Sequence, residues 1–219
     1  MPVRPVLLRG DPRLRQPAQP WPAERIGQES LRRLVRDLLD TQTARSGAGL
    51  AAPQIGEPWR VVVVGSGAFN PRYPLAPVLP RQVLVNPSCT PLEPSTDLAE
   101  EGCLSVPELR APVRRWRRVW CEALTPEGEA LRMVMEGFAA RVLQHEIDHL
   151  DGVLLPDRVA LSEPARERPE TEPRRSSGQP ESSQRFSQPR SSDRPVPSPP
   201  SEPRRPLPGR QPLQPWSTP

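Results

Sequence analysis

The heptapeptide Gln144-His145-Glu146-Ile147-Asp148-His149-Leu150 holds both histidines of a 219-residue chain. Around it, Phe138, Arg141-Val142, His145 and His149 recur at helical spacing and predict a helix from about Gly137 to Leu150, with Asp151-Gly152 as its stop. Residues four apart on a helix share one face a turn apart, so the two imidazoles converge on one point. Glu146, one residue after the first imidazole, can reach water held by a cation bound between them. The plain alternative is a surface helix that happens to carry two histidines.

A hydrolytic metal needs a third protein ligand and an open position. The chain has no third histidine. Glu163, Glu167 and Glu170 lie beyond Gly152 and Pro156, where no rigid ligand is expected. Cysteine remains, a thiolate donor suited to borderline and soft divalent ions. Cys103, in the turn-like Glu101-Gly102-Cys103-Leu104-Ser105, is the candidate ligand. Cys121 alternates with Val119 and Ala123 and reads as a core thiol. Cys89 follows a strand end and has no distinguishing context.

Further outward, Leu31, Leu34, Val35, Leu38 and Gln42 fall on one face of a predicted helix. That helix is expected to begin near Pro22-Ala23-Glu24 or shortly after, and to stop before Ser46-Gly47. Arg60-Val61-Val62-Val63-Val64 reads as a buried strand, and Val83-Leu84-Val85 as a second one closed by Asn86-Pro87. Residues 65–80 between them form a loop rich in Pro and Gly. Residues 117–124 and 130–135 alternate as a hairpin joined by Thr125-Pro126-Glu127-Gly128. Strands with isolated helices before and after them imply an α+β domain of short, mostly antiparallel sheets around the metal-binding helix.

Of the 34 prolines, 15 fall in the last 57 residues, a density that packed helices and sheets do not tolerate. The chain is therefore read as a catalytic domain over residues 1–162 and a disordered Pro/Ser/Arg-rich tail over 163–219. Every one of the 30 basic residues is Arg, against 26 acidic residues. The first 162 residues carry a net charge of only +1, which gives no signal for DNA binding. No run of 18 apolar residues exists, so no membrane helix is expected. No secretory signal is read at the start, and three widely spaced cysteines make no disulfide framework. Reduced thiols in a cytoplasm are the expectation.

Three segments then act together: Gly47-Ala48-Gly49-Leu50-Ala51-Ala52-Pro53-Gln54, Glu101-Gly102-Cys103-Leu104-Ser105 and the His145 heptapeptide. They resemble, in order and separation, the three signature motifs of peptide deformylases, with a resemblance covering about residues 6–160. It implies removal of the formyl group from the N-terminal formyl-methionine of nascent bacterial polypeptides, in the cytoplasm. It also implies one divalent metal, Fe2+ foremost, with Zn2+, Ni2+ or Co2+ as substitutes. By the same resemblance, Cys103, His145 and His149 are the metal ligands and Glu146 is the catalytic carboxylate. The Gln54 amide and the Leu104 backbone N–H would stabilise the developing oxyanion, and Gly49 would let substrate backbone approach. Arg110 resembles a substrate-binding position, and an ion pair with Glu101 is the plain alternative for it.

The tail departs from the family pattern. Many deformylases end in a basic helix thought to assist docking at the ribosome, and Pro164 and Pro169 would interrupt one here. Transient ribosome contact stays open. The cluster Arg114-Arg115-Trp116-Arg117-Arg118 is expected to be a solvated strand at a sheet edge. Asp148 is either a partner of a ligand or an Arg, or a solvated position. Two other functions compete: an amide hydrolase or metallopeptidase with a different third ligand, and a Pro-rich adaptor with an inactive metal site.

Overall fold

The computed structural model describes residues 3–162. The reading of residues 163–219 as a disordered tail lies outside them. The elements are α1 (Glu29–Ala44), β1 (Gly49–Ala51), β2 (Val61–Val64), β3 (Gln82–Pro91), β4 (Thr96–Cys103), β5 (Val106–Trp116), β6 (Arg118–Leu124), β7 (Ala130–Glu136), α2 (Gly137–Leu150) and α3 (Leu155–Ser162). The expected α+β architecture is present. A five-stranded antiparallel sheet runs β1-β2-β3-β6-β7, and β4 and β5 form a separate two-stranded sheet.

β2 explains the layering. Its four valines are all buried, so both faces of the sheet must be covered. Val61 and Val63 pack with Leu31, Leu34 and Leu38 of α1. Val62 and Val64 pack with Ala140, Leu143 and Leu150 of α2, together with Val119, Cys121 and Met135. α2 is thus held between the five-stranded sheet and the β4–β5 hairpin, and ten of its fourteen residues are buried. A third cluster of Cys103, Val106, Val113 and Leu155 joins the hairpin to α3.

Two local expectations are corrected, and the motif segments gain definite places. α1 begins at Glu29, not near Pro22, because residues 23–25 form a single 3-10 turn and Gly27 turns left-handed (φ +75°) before the helix starts. β3 does not stop at Asn86-Pro87. Asn86 adopts φ +52° at a bulge between Val85 and Ser88, and its side-chain amide bonds the backbone N–H and C=O of Trp21 at 2.7 and 2.9 Å. A bulge lets the strand pass a residue that cannot donate to the ladder. The turn-like residues 101–105 are the tip of a long hairpin, β4–β5, and part of the Gly-rich segment is itself a strand, β1. The hairpin was obscured because ionic side chains, not apolar ones, occupy some of its inward positions.

Candidate active site

α2 and the tip of the β4–β5 hairpin bring three donors together. Cys103 ends β4, and its Sγ lies 3.2 Å from His149 Nε2. With His145, the three donor atoms fall within 4.8 Å of one another, and all three side chains are largely buried. His145 Nδ1 is 2.9 Å from Glu101 Oε2. A carboxylate there fixes the ring and leaves Nε2 for the cluster. Burial pushes the Cys103 thiol up, but the His149 and His145 imidazoles beside it outweigh that and hold it well below the ordinary thiol range. A buried thiolate, an imidazole held by Glu101 and a second imidazole within reach of both fit a single divalent ion.

Behind the donors lies a buried ionic network. Glu101, 2% exposed, accepts from Arg115 Nε and Nη2 at 2.9 and 3.0 Å, and from Arg141 Nη1 at 2.8 Å. Burial pushes its carboxyl up, yet His145 and Arg115 hold it far below the carboxylate range. Arg115 Nη1 continues to Asp148 Oδ2 at 2.6 Å, and Arg158 Nε also donates to Asp148. Asp148 is therefore an arginine partner and not a solvated position. Two sequence expectations are overturned here. Arg115 is 5% exposed and not part of a solvated edge, and Glu101 pairs with Arg115 and Arg141, not with Arg110. Strand parity carries the signal for Arg115: it follows the inward Ala111 and Val113 on one face of β5.

Glu146 is 4% exposed at the cleft floor. Burial pushes its carboxyl up to about 7, with His145 and His149 holding it back. Its Oε2 has no hydrogen-bond partner among the described residues. Gly49 faces it across the cleft: a Cβ there would lie 2.8 Å from both Cγ and Cδ of Glu146. Gly49 thus makes room for the carboxylate as well as for a ligand. Gly49→Ala is expected to keep the fold and lower kcat/KM by about 100-fold, because small misplacements of a reacting group cost that much. Steady-state kinetics beside a thermal melt checks this, and wild-type kinetics would show that Glu146 tolerates the crowding.

Gln54 sits in the 3-10 turn Ala52–Ile55, its Oε1 accepting from the Ala51 N–H at 2.9 Å. That bond aims Nε2 at Ser105 Oγ (3.1 Å) and Cys103 Sγ (3.8 Å). Leu104 lines the same cleft. Arg110 is exposed near its mouth, with its guanidinium carbon 4.9 Å from the Tyr73 ring centre and Nη1 donating to the Arg72 carbonyl at 3.4 Å. Tyr73, the only tyrosine in the chain, was missed by sequence reasoning. Its hydroxyl accepts from the Gly102 N–H at 3.0 Å and donates to the Gly102 carbonyl at 3.2 Å, which brings the 65–80 loop to the cleft. Tyr73, Phe138 and Val142 supply the apolar lining.

An α+β domain with a Cys-His-His donor set, a buried carboxylate and an adjoining cleft defines a metal-dependent hydrolase. The chain belongs to the polypeptide deformylase family, whose family model matches residues 3–165. The reaction is hydrolytic removal of the N-formyl group from nascent polypeptides. The chain is 49% identical over 159 residues to peptide deformylase 1 of Prochlorococcus marinus, covering 73% of this chain and 82% of that one. It is 46% identical over 157 residues to peptide deformylase 2 of Ralstonia nicotianae, covering 72% and 87%. Among solved structures, it matches the Met-Ala-Ser-bound class I type b peptide deformylase of Acinetobacter baumannii with a TM-score of 0.69 at 41% identity, covering 72% of this chain and 99% of that one. The peptide deformylase of Thermotoga maritima matches with a TM-score of 0.63 at 34% identity, covering 73% and 99%.

Proposed function

We propose that Cys103, His145 and His149 hold one divalent metal, Fe2+ foremost with Zn2+, Ni2+ or Co2+ as substitutes, and that the surrounding residues deformylate N-formyl-methionyl peptides on it. The observation that carries this reading is the convergence of the three donors beside Glu146. A bound ion of this kind lowers the pKa of water towards neutrality and polarises a carbonyl. Glu146 takes the proton of the attacking water and later returns it to the departing amine. Its carboxyl lies buried at the cleft floor, where it can reach water held there for both transfers. The Gln54 Nε2 and the Leu104 backbone N–H donate to the oxygen on which charge develops.

The peptide has a natural seat. β1 is an outer strand of the large sheet and β4 belongs to the two-stranded one. Gly49 of β1 and Gly102 of β4 both line the cleft, so an extended chain can lie along their backbones. The Tyr73, Phe138 and Val142 lining takes the methionine side chain, and Arg110 stands where the peptide leaves the cleft. We assign the catalytic unit to residues 1–162. Its substrates arise on the ribosome, so transient contact there, in a bacterial cytoplasm, belongs to the same reading. No helix of the described residues is long and apolar enough to cross a membrane.

Formate release from formyl-Met-Ala-Ser, measured anaerobically with the Fe2+-loaded protein, tests the assignment. Turnover is expected, and fully metallated protein that releases no formate would overturn it. Cys103→Ala is expected to lose most bound metal in elemental analysis after dialysis. Cys121→Ala, at a core thiol, is expected to retain it. Equal retention by both variants would remove Cys103 from the ligand set.

A further inference from the structure

Away from the active site, Cys89 on β3 and Cys121 on β6 stand directly opposite each other in the antiparallel ladder. Their pairing type follows from the hydrogen bonds around them. The Leu92 N–H donates to the Arg118 carbonyl at 3.1 Å, so those two residues form a hydrogen-bonded pair. The pattern alternates along the ladder, which makes Thr90 and Trp120 hydrogen-bonded and leaves Cys89 and Cys121 as a non-hydrogen-bonded pair. The other edge of β6 agrees. The Gly137 N–H donates to the Arg117 carbonyl at 2.9 Å, and by the same alternation Cys121 directs its backbone groups to Met133 on β7. In non-hydrogen-bonded pairs the Cα atoms lie about 4.5 Å apart, with the side chains closer than in the other type. Disulfides span Cα separations of about 4.4–6.8 Å.

Both cysteines are free thiols on the sheet face that packs with α2. Cys121 is fully buried, and Cys89 is partly buried at the margin of the same core cluster. The chain between them consists of the β4–β5 hairpin and its connections, which carry Glu101, Cys103 and Arg115. A bond from Cys89 to Cys121 would close the base of the segment that presents the thiolate donor.

We propose that Cys89 and Cys121 are a modification site, a thiol pair that low-molecular-weight disulfides convert into a cross-strand disulfide at the base of this hairpin. The Cys89 thiolate attacks one sulfur of oxidised glutathione, forming a mixed disulfide and releasing one glutathione thiolate. The Cys121 thiolate then attacks the Cys89 sulfur and releases the second. Two protein thiols are oxidised, one glutathione disulfide is reduced to two thiols, and the two cysteine protons pass to the departing glutathiones. Burial pushes Cys89 up to about 11 and Cys121 up to about 12, which lowers the thiolate fraction and slows the exchange.

The test treats the metal-loaded full chain with oxidised glutathione, quenches with acid, and then counts thiols and maps peptides under denaturing conditions. The expected result is a fall from three free thiols to one, Cys103, with a peptide linking Cys89 to Cys121 that dithiothreitol separates. Cys121→Ser is expected to hold glutathione on Cys89 and to go no further. Should that variant fail to fold, the peptide map of the unaltered chain still decides. Glutathione retained on Cys89 with Cys121 still free, a disulfide to Cys103, or three remaining thiols would each overturn the proposal. The oxidised protein is also expected to yield its metal to a chelator several-fold more slowly, and an unchanged rate would refute the tie to the hairpin.

Discussion

Glu146→Gln is expected to lower kcat/KM by about 10³-fold while leaving metal content and fold intact, since general acid–base groups contribute roughly 10²–10⁴-fold. The amide keeps the shape of the side chain but cannot take a proton from water or return one to the amine. Oε2 has no hydrogen-bond partner among the described residues, so no bond to it is lost on substitution. The amide fills the same space, so the melting temperature is expected to stay close to that of the parent. Formate release, elemental analysis and a thermal melt on one preparation separate these effects. A metal-loaded variant with wild-type turnover would take Glu146 out of the reaction.

Arg115→Ala is expected to be the most destabilising single change near the site, by about 3–5 kcal/mol, because it strands buried charges that had a partner. Arg115 neutralises Glu101 and Asp148 at once, with its side chain 4% exposed and theirs 3% and 8%. Arg141 and Arg158 remain as partial partners, so the lower part of that range is expected. For a domain of this size it corresponds to a fall of roughly 10 °C in melting temperature. The loss should reach the donors as well. Glu101 orients His145, and loosening such a partner typically costs about 10–100-fold in metal affinity. Metal titration beside the melt checks both effects. A variant as stable and as metal-tight as the parent would show that Arg141 and Arg158 alone satisfy the two carboxylates.

The donor helix was legible because its information is local. Two imidazoles four residues apart, with apolar neighbours at helical spacing, must share a face wherever the helix packs. β6 and β7 were legible for the same reason, as alternation about a turn. The β4–β5 hairpin was not, since its inward residues include Glu101 and Arg115, and charged inward positions break both the alternation and the apolar runs by which strands are read. These charges tolerate burial only because Arg141, His145 and Asp148 come from α2, far along the chain, to meet them. The strand after Asn86-Pro87 was hidden in the same way, as the bulge is held by Trp21, 65 residues away.

By itself, then, the sequence pointed to the candidate donors, because ligand types and i, i+4 geometry are properties of short segments, and the resemblance of its three motifs pointed to the reaction class. Tertiary structure decided what surrounds them: the carboxylate that orients His145, the arginine that makes that carboxylate affordable in the interior, and the Tyr73 wall of the cleft. Each of these depends on contacts between elements distant in the chain, where burial changes what a charge costs and only the folded arrangement supplies its partner.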